Sequence, residues 1–214
     1  MALAHARKRR FSRAEYYRMS DLGILKPGER TELIDGEIVT MPAQNLPHAN
    51  AVTASNMILT STYFETHAVR CQLPVTLADD CEPEPDFALV TAEHMRESNL
   101  QGKHPTCPDL ILEISDRSLG YDRGEKVGLF ARAGVPEYWI LNVQRRILEV
   151  RRDPASDEES PFGFHYRSIR LHSEAERVAP LFAAGREVVV GDLLGPRVPE
   201  KAPADGNFSA SSEP

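Results

Sequence analysis

The chain has 214 residues, of which 41% are hydrophobic and 27% charged, and its formal net charge at pH 7 is −7. This length and composition fit one globular domain, the apolar runs are too short to span a membrane, and an acidic chain lacks the basic surface typical of nucleic-acid binders. Three cysteines without a CxxC spacing argue against a disulfide framework and a zinc site, so we expect a cytoplasmic protein.

Four elements are predicted in the first part of the chain. They are a helix over 12–25, a hairpin over 31–41, a helix over 47–66 and a strand over 68–78 that a proline interrupts. Ser12 begins the first helix, because Glu15 stands at the capping-box position. Asp35-Gly36 supplies the turn of the hairpin. The acidic run DDCEPEPD follows at 79–86 and indicates a solvated loop or a cation site.

The second part of the chain predicts mainly strands. They lie over 85–91 and 109–115, in a hairpin over 135–143 and 145–152, and near 162–171 and 186–190, with one helix over 121–134. From Pro196 onward the apolar pattern stops, which predicts a single domain over 1–195 and a disordered tail over 196–214. The order of elements predicts a mixed α/β fold, with a central β-sheet flanked by helices and an added N-terminal helix and hairpin.

Two carboxylates stand at strand ends in this scheme. Asp86 opens the strand over 85–91, and Glu113 follows the apolar run Leu110-Ile111-Leu112. If the two strands are neighbours, the carboxylates meet at one edge of the sheet and repel each other unless a cation lies between them. Mg²⁺, or Mn²⁺, binds through one or two carboxylates, a carbonyl and waters, and the carbonyl of Ile114 can complete such a site.

Lys126 follows on the next predicted helix, where it shares a face with Asp122. If that face is directed toward the strand end, the ammonium can orient an attacking water or stabilise charge on a phosphate. Structural roles compete with this interpretation. Asp86 can cap a turn, Glu113 and Lys126 can form a structural salt bridge, and Asp122 and Lys126 can form a surface pair that contributes only a few tenths of a kcal/mol.

Three segments resemble a known family. They are ELIDGEIVTM at 32–41, EPDFALV at 84–90 and CPDLILEISDRSLGYDRGEKVGLFARAGVPEYWIL at 107–141. In content and order they resemble the Uma-type restriction endonucleases, a branch of the PD-(D/E)XK nuclease superfamily, over roughly residues 12–192. The resemblance implies a restriction-endonuclease-like α/β core.

The resemblance also implies roles for particular residues. Asp86 and Glu113 match the metal ligands, and Lys126 matches the catalytic lysine. In this branch the lysine lies on the following helix, and Ser115 stands where the simple ExK signature would place it.

Two further catalytic residues follow from the resemblance, Glu32 in the first hairpin and His48 at the start of the next helix. From local sequence alone, Glu32 can be an exposed strand residue and His48 an ordinary residue of a helix N-terminus. The implied function is a Mg²⁺- or Mn²⁺-dependent endonuclease acting on nucleic acid, with DNA expected, and cleavage of both strands would favour a homodimer. The alternative is a catalytically silent scaffold or nucleic-acid-binding module that keeps the fold.

Overall fold

The computed structural model of the chain describes residues 8–197. The helices are α1 Arg13–Asp21, α2 Leu46–Tyr63, α3 Ala92–Leu100, α4 Leu119–Arg123, α5 Glu125–Arg132 and α6 Val190–Leu194. The strands are β1 Thr31–Ile34, β2 Glu37–Thr40, β3 His67–Cys71, β4 Phe87–Thr91, β5 Leu110–Ser115, β6 Glu137–Asn142, β7 Ile147–Ser156, β8 Phe164–Ser173, β9 Arg177–Val178 and β10 Val188–Val189.

A six-stranded sheet organises this part of the chain, with the strand order β3-β4-β5-β6-β7-β8. β5 and β6 are parallel, whereas the other neighbouring strands of this sheet are antiparallel. Parallel neighbours need a crossover connection, and α4 and α5 provide it here. The predicted mixed α/β class, with a central mixed sheet flanked by helices, is confirmed.

β5 is buried along its whole length and separates two apolar clusters. Leu112 and Ile114 belong to the cluster that α2 and α6 cover. Ile111 belongs to the opposite cluster, together with residues of α5 and Ile34 of the β1–β2 hairpin. Because side chains alternate along a strand, Glu113 lies on the same face as Ile111. This alternation directs Glu113 toward α5 and the hairpin.

The acidic run at 79–86 anchors the first helix. Arg13 of α1 donates from Nε to Oε2 of the buried Glu82 at 2.5 Å, and Tyr17 donates to the other oxygen of the same carboxylate. The expectation of a solvated loop is therefore wrong at Glu82, which is a docking point for α1.

Several predicted elements differ from the observed ones in extent. The predicted helix over 121–134 is two helices, since Gly124 adopts φ −101° and ψ −93°, outside the helical region. The predicted strand over 68–78 ends at Cys71, because Gln72 turns the chain with a φ of 51°. The short elements α3, α6 and β9 were not predicted.

Most of the predicted tail lies outside the described residues. Of 196–214 the structure describes Pro196 and Arg197, and Arg197 donates to Glu174 at 2.6 Å. The single-domain boundary at residue 195 stays a prediction. Among residues 8–197, no helix is both long enough and apolar enough to cross a bilayer.

Candidate active site

The register of β4 and β5 brings the two predicted metal ligands together. Phe87 lies opposite Leu112 in this antiparallel pair, so Asp86, one residue earlier, comes opposite Glu113. The Asp86 amide donates to Glu113 Oε2 at 3.2 Å, and the Ile114 amide donates to Asp86 Oδ2 at 2.9 Å. Each carboxylate is therefore fixed by a backbone amide of the other strand, and both side chains are buried.

The Ile114 carbonyl is directed toward the same place. Within a β-strand the amide and carbonyl of one residue point to the same side, and the Ile114 amide faces Asp86. Glu113 is not the last residue of its strand, since β5 continues to Ser115, as the predicted range 109–115 indicated. The carbonyl that follows Glu113 thus remains part of a regular strand, which fixes its direction.

Lys126 is the second residue of α5, not a mid-helix residue. Its Nζ donates to Glu113 Oε1 at 2.6 Å and lies 3.8 Å from Glu32 Oε1, with only 2% of the side chain exposed. Burial lowers the pKa of Lys126, but the nearby carboxylates of Glu113, Glu32 and Asp122 outweigh this effect and hold the pKa above its ordinary value. The amine is therefore an ammonium at neutral pH.

Asp122 and Lys126 do not form the surface pair that local spacing allowed. Both side chains are 2% exposed, and both line the same cavity. The break at Gly124 separates them into different helices, so their geometry is not that of an i, i+4 helical pair. The expectation of a weak surface interaction is wrong for this pair.

Acidic side chains outnumber Lys126 at this site. Burial raises the pKa of Glu113 well above its usual range, and it also raises the pKa of Glu32 and of Asp122. Lys126 opposes the shift in each of the three groups. Buried carboxylates in excess of their counter-charge favour either a bound proton or a bound cation.

Asp86 behaves differently because it accepts three hydrogen bonds. Gln72 Nε2 donates to Oδ1 at 2.9 Å, while His48 Nε2 lies 3.1 Å from Oδ2 and the Ile114 amide also donates there. Burial raises the pKa of Asp86, but the contacts with His48, Gln72 and Ile114 outweigh it and leave that pKa below its usual value. Asp86 is thus held as a carboxylate.

His48 reaches Asp86 from the first turn of α2. Asn45 caps this helix, and its Oδ1 accepts a hydrogen bond from the His48 amide at 3.1 Å. The two interpretations of His48 from the sequence are therefore compatible, since the residue belongs to the helix N-terminus and also contacts the site. The positive end of the α2 dipole adds a field that favours negative charge near Asp86.

Glu32 lies in β1 and is 2% exposed, so the alternative of an exposed strand residue is wrong. Its Oε2 is buried and has no hydrogen-bond partner among residues 8–197. A buried carboxylate oxygen without a donor is costly and is usually satisfied by a water or an ion. This oxygen is a position where an additional donor or a cation fits.

A cavity of about 160 Å³ connects these groups. Its lining includes all the residues that the sequence singled out, namely Glu32, His48, Asp86, Glu113, Ile114 and Lys126. It also includes Arg30 and Arg117, two cations suited to a phosphate-bearing substrate.

Sequence reasoning missed Gln72, which holds the second oxygen of Asp86. Its positive φ is uncommon for a residue other than glycine, and such conformations concentrate at functional sites. No pattern in the sequence marks it, because its role depends on how the chain turns after β3. The proline at 74 was the one local signal that the strand is interrupted.

The donor set fits a hard divalent cation. Among residues 8–197, no group of three or more His, Cys, Asp or Glu side chains forms a ready metal cluster. Mg²⁺ does not require one, because it is commonly bound by one or two carboxylates while it keeps several waters. The adjacent carboxylates of Asp86 and Glu113, the direction of the Ile114 carbonyl and the unpartnered Glu32 oxygen are compatible with that mode.

Comparison with solved structures identifies the fold. The chain is similar to a "putative nuclease belonging to DUF820" from Anabaena variabilis, with a TM-score of 0.59 and 16% identity over 80% of this chain and 94% of that one. A second structure, the type IIG restriction endonuclease BpuSI, matches 54% of this chain and 12% of its own length at 15% identity, with a TM-score of 0.33. The first match confirms a restriction-endonuclease-like fold, and the second is too weak to add to it.

Comparison with family models then gives the family. The model of the Uma2 family, described as "putative restriction endonuclease", matches residues 13–190. The chain therefore belongs to this family, and the resemblance found in the sequence is confirmed. A search among curated proteins gave no match.

Proposed function

We propose that this chain is a divalent-metal-dependent endonuclease that hydrolyses phosphodiester bonds in nucleic acid, with DNA as the first substrate to test. The observation that carries the proposal is the buried contact of Asp86, Glu113 and Lys126 at the adjoining ends of β4, β5 and α5. Buried charges of this kind are costly to keep. Groups with shifted pKa values in a cleft are typical of catalytic sites, and membership of the Uma2 family supports the same class of reaction.

Asp86, Glu113 and the Ile114 carbonyl would hold Mg²⁺ or Mn²⁺. The ion would lower the pKa of a bound water and neutralise charge on the phosphate. The two carboxylates are held in register by opposing backbone amides, so their separation is set by the sheet and not by flexible side chains. Such preorganisation is what a catalytic site requires of its scaffold.

Lys126 would stabilise negative charge that develops on the phosphate. An ammonium has three N–H donors, and in this structure Glu113 accepts from it at 2.6 Å. The neighbouring carboxylates raise its pKa, and we propose that Lys126 acts as a charged donor. Glu32, 3.8 Å away, restricts where the ammonium can lie, and we propose that it belongs to the catalytic set for this reason.

His48 and Gln72 would position Asp86. They contact its two oxygens from different elements, His48 from α2 and Gln72 from the turn after β3. Both contacts favour the ionised form of Asp86, which is the form a metal binds. We propose that the contribution of each residue to the reaction is made through Asp86.

Metal binding provides the direct test. Isothermal titration of the full chain with Mg²⁺ or Mn²⁺ should show a site that is lost in Asp86→Ala and in Glu113→Ala. Asp79→Asn is the matched control, because it removes an exposed acid from the same acidic run. The wild-type chain should also nick plasmid DNA when either ion is added, and EDTA should stop the reaction.

The outcomes separate the two functions considered. Unchanged metal binding in both alanine variants would contradict the proposed site. DNA binding without cleavage under any divalent ion would favour the alternative, a catalytically silent nucleic-acid-binding or scaffold protein. RNA of the same sequence should be tested beside DNA, since the catalytic residues contact the phosphate and do not discriminate between the sugars.

A homodimer is part of the proposal. Cleavage of both strands of a duplex is favoured by two sites related by a two-fold axis. Light scattering coupled to size exclusion, with and without duplex DNA, should show a dimer at least in the bound state. A monomer under both conditions would remove this part of the proposal. Cytoplasmic location stays a prediction.

A further inference from the structure

A second cavity, of about 530 Å³, lies beside β3 and the end of α3. Arg70 lines it and is 9% exposed. Its Nη2 donates to the Pro74 carbonyl at 3.0 Å and lies 3.4 Å from His104 Nδ1, and its Nη1 is 3.7 Å from Met95 Sδ. Its Nε is buried without a hydrogen-bond partner in the part of the chain that the structure describes.

The partners of Arg70 leave its charge unbalanced. Buried guanidinium groups are usually paired with a carboxylate, whereas the partners of Arg70 within residues 8–197 are a carbonyl, an imidazole and a thioether. A neutral partner satisfies a donor but does not offset the cost of burying a positive charge. An anion bound in the cavity would supply that missing charge.

The cavity around Arg70 is cationic although the chain as a whole is acidic. Arg13, Lys103 and His104 also line it, and its described lining residues include no Asp or Glu. Arg13 is balanced by Glu82, 2.5 Å away, and Lys103 has no ion-pair partner within the described residues. Since His104 Nδ1 accepts from Arg70, its proton lies on Nε2, which gives a further donor.

Shared lining residues link this cavity, through a neighbouring cleft, to the cavity of the candidate active site. His104 and Tyr17 line both the cationic cavity and a neighbouring cleft of about 480 Å³. That cleft in turn shares Arg30 and Glu84 with the catalytic cavity. The cleft also contains Glu29 and Glu82, and the Tyr17 hydroxyl donates to Glu82. Tyr17 is partly exposed and also lines the cationic cavity, where an aromatic ring beside basic groups is a platform on which a base can stack.

We propose that Arg70, Lys103 and His104 bind a phosphate group, the backbone phosphate of a nucleic-acid strand whose reacting bond lies in the catalytic cavity. The identity of the strand rests on the proposed function, since free phosphate would satisfy the same donors. A planar guanidinium can donate two parallel hydrogen bonds to a phosphate. Contacts of this kind fix the position of a strand without reading its sequence.

Binding of fluorescein-labelled duplex DNA to the full chain tests the proposal. The affinity is measured over a series of salt concentrations with Ca²⁺, a divalent ion of larger radius than Mg²⁺. Lys103→Gln should weaken binding several-fold and reduce the slope of log K against log salt by about one. Arg70→Lys should weaken binding because the planar fork is lost while the charge remains.

Arg96→Gln is the matched control. Arg96 is exposed on α3 and does not line the cationic cavity, so its removal takes away the same charge nearby and should leave the salt slope unchanged. Melting temperatures are recorded for all variants. If Arg70→Lys does not fold, the comparison of Lys103→Gln with Arg96→Gln decides the question by itself.

Three outcomes overturn the proposal. They are the absence of DNA binding by the wild-type chain, wild-type slopes and affinities in Lys103→Gln, and inorganic phosphate that binds in an Arg70-dependent way while DNA binding is unaffected by the variants. Cleavage assays keep the two proposals separate. If the wild-type chain binds DNA through Lys103 but does not cleave it, the phosphate site is supported and the nuclease function is contradicted. If the chain cleaves DNA and Lys103→Gln binds DNA as tightly as the wild type, the nuclease function is supported and the phosphate site is contradicted.

Discussion

Glu113 of β5 and Glu137 of β6 are both buried in neighbouring parallel strands, but the two carboxylates have different surroundings. Glu137, in β6, is fully buried and well supplied with donors. Arg152 Nε and Trp139 Nε1 each donate to its Oε1 at 2.8 Å, and the Leu181 amide donates to its Oε2 at 2.6 Å. This carboxylate has a cation of its own and donors on both oxygens, which is the arrangement of a structural group.

Glu113, in β5, has fewer donors and more acidic neighbours. Lys126 and the Asp86 amide donate to it, but the same ammonium also faces Glu32 and Asp122. The pKa of Glu113 is raised by burial and, among other neighbours, by Asp86. Burial of a glutamate therefore does not by itself indicate the same role at Glu113 and at Glu137. Glu137 completes a closed network, whereas Glu113 belongs to a site that would accept another cation.

β7 provides a second structural example. Glu149 is buried, and both Arg123 and Arg151 donate to it, at 2.7 Å and 3.1 Å. Around Glu137 and Glu149 the positive charges equal or exceed the carboxylates they contact. In the cavity around Glu113 the buried acids outnumber the cation that they contact. The ratio of buried acids to their cations, and not burial itself, therefore distinguishes the candidate site.

The largest expected effect is on catalysis at Lys126. Lys126→Ala removes the charge that we propose acts on the reacting phosphate, and the loss of one such group typically costs about 3–4 kcal/mol of barrier, on the order of a hundredfold or more in rate. Single-turnover cleavage of a plasmid or oligonucleotide measures this. Lys126→Arg should rescue poorly, because a guanidinium does not replace a compact ammonium.

Stability must be measured on the same variants, because Lys126 is buried and not on the surface as local spacing allowed. Lys126→Met keeps most of the volume without the charge and controls for the cavity that alanine leaves. Slow cleavage by a well-folded Lys126→Met chain supports the catalytic role. Full activity in that variant would remove Lys126 from the mechanism and weaken the nuclease proposal.

A smaller effect is expected at Glu137, where the change concerns stability. Glu137→Gln should lower the free energy of unfolding by about 1.5–3 kcal/mol, the usual range for a hydrogen bond to a charged group. Cleavage should be unchanged at temperatures where the variant is folded. Glu158→Gln is the control, because this acid is exposed and makes no side-chain hydrogen bond within residues 8–197, and it should stay within about 0.5 kcal/mol of the wild type. A neutral result at Glu137 would contradict its assignment as structural.

The part of the fold that local patterns determine could be predicted from the sequence. The capping box at Ser12 and Glu15 is present, and the Asp35-Gly36 turn joins β1 and β2. β5 was also predicted well, because its apolar run has no competing interpretation as a helix of normal length. These features depend on residues that are close in the chain.

Features that depend on tertiary contacts were missed or misjudged. Gly124 interrupts a helical pattern that otherwise continues, and an isolated glycine in a helix is usually tolerated. Glu82 belongs to an acidic run, and only the docking of α1 gives it a partner. Gln72 contacts Asp86 through a turn that its sequence does not specify. For the site, Asp86, Glu113 and Lys126 were proposed because a resemblance supplied what spacing alone left open, and the structure brings the three side chains together.

The smallest expected effect is the change in the free energy of unfolding at Glu32, which should be opposite in sign to the change at Glu137. Burial raises the pKa of Glu32 above its ordinary value of 4.5, and Oε2 has no hydrogen-bond partner among residues 8–197. The ionised form of Glu32 is therefore unfavourable in the folded chain. Glu32→Gln should increase the free energy of unfolding at pH 7.5, within the range of about 0.5–2 kcal/mol that is common for a single stabilising substitution, while it lowers activity.

The pH dependence of this gain follows from the direction of the shift. A carboxyl whose pKa is higher in the folded state contributes stability below its unfolded pKa, near 4.5 for Glu32, and loses that contribution as pH rises through the folded value. Glutamine does not titrate, so the advantage of Glu32→Gln should be largest at pH 7.5 and should shrink as pH falls through the raised pKa of Glu32 toward 4.5. Denaturant unfolding of both chains in EDTA, at several pH values, measures the difference without a bound metal that would offset the charge. A gain that is independent of pH would show that packing, and not the buried charge, separates the two chains, and a loss of stability at every pH would place Glu32 with Glu137 among the structural acids.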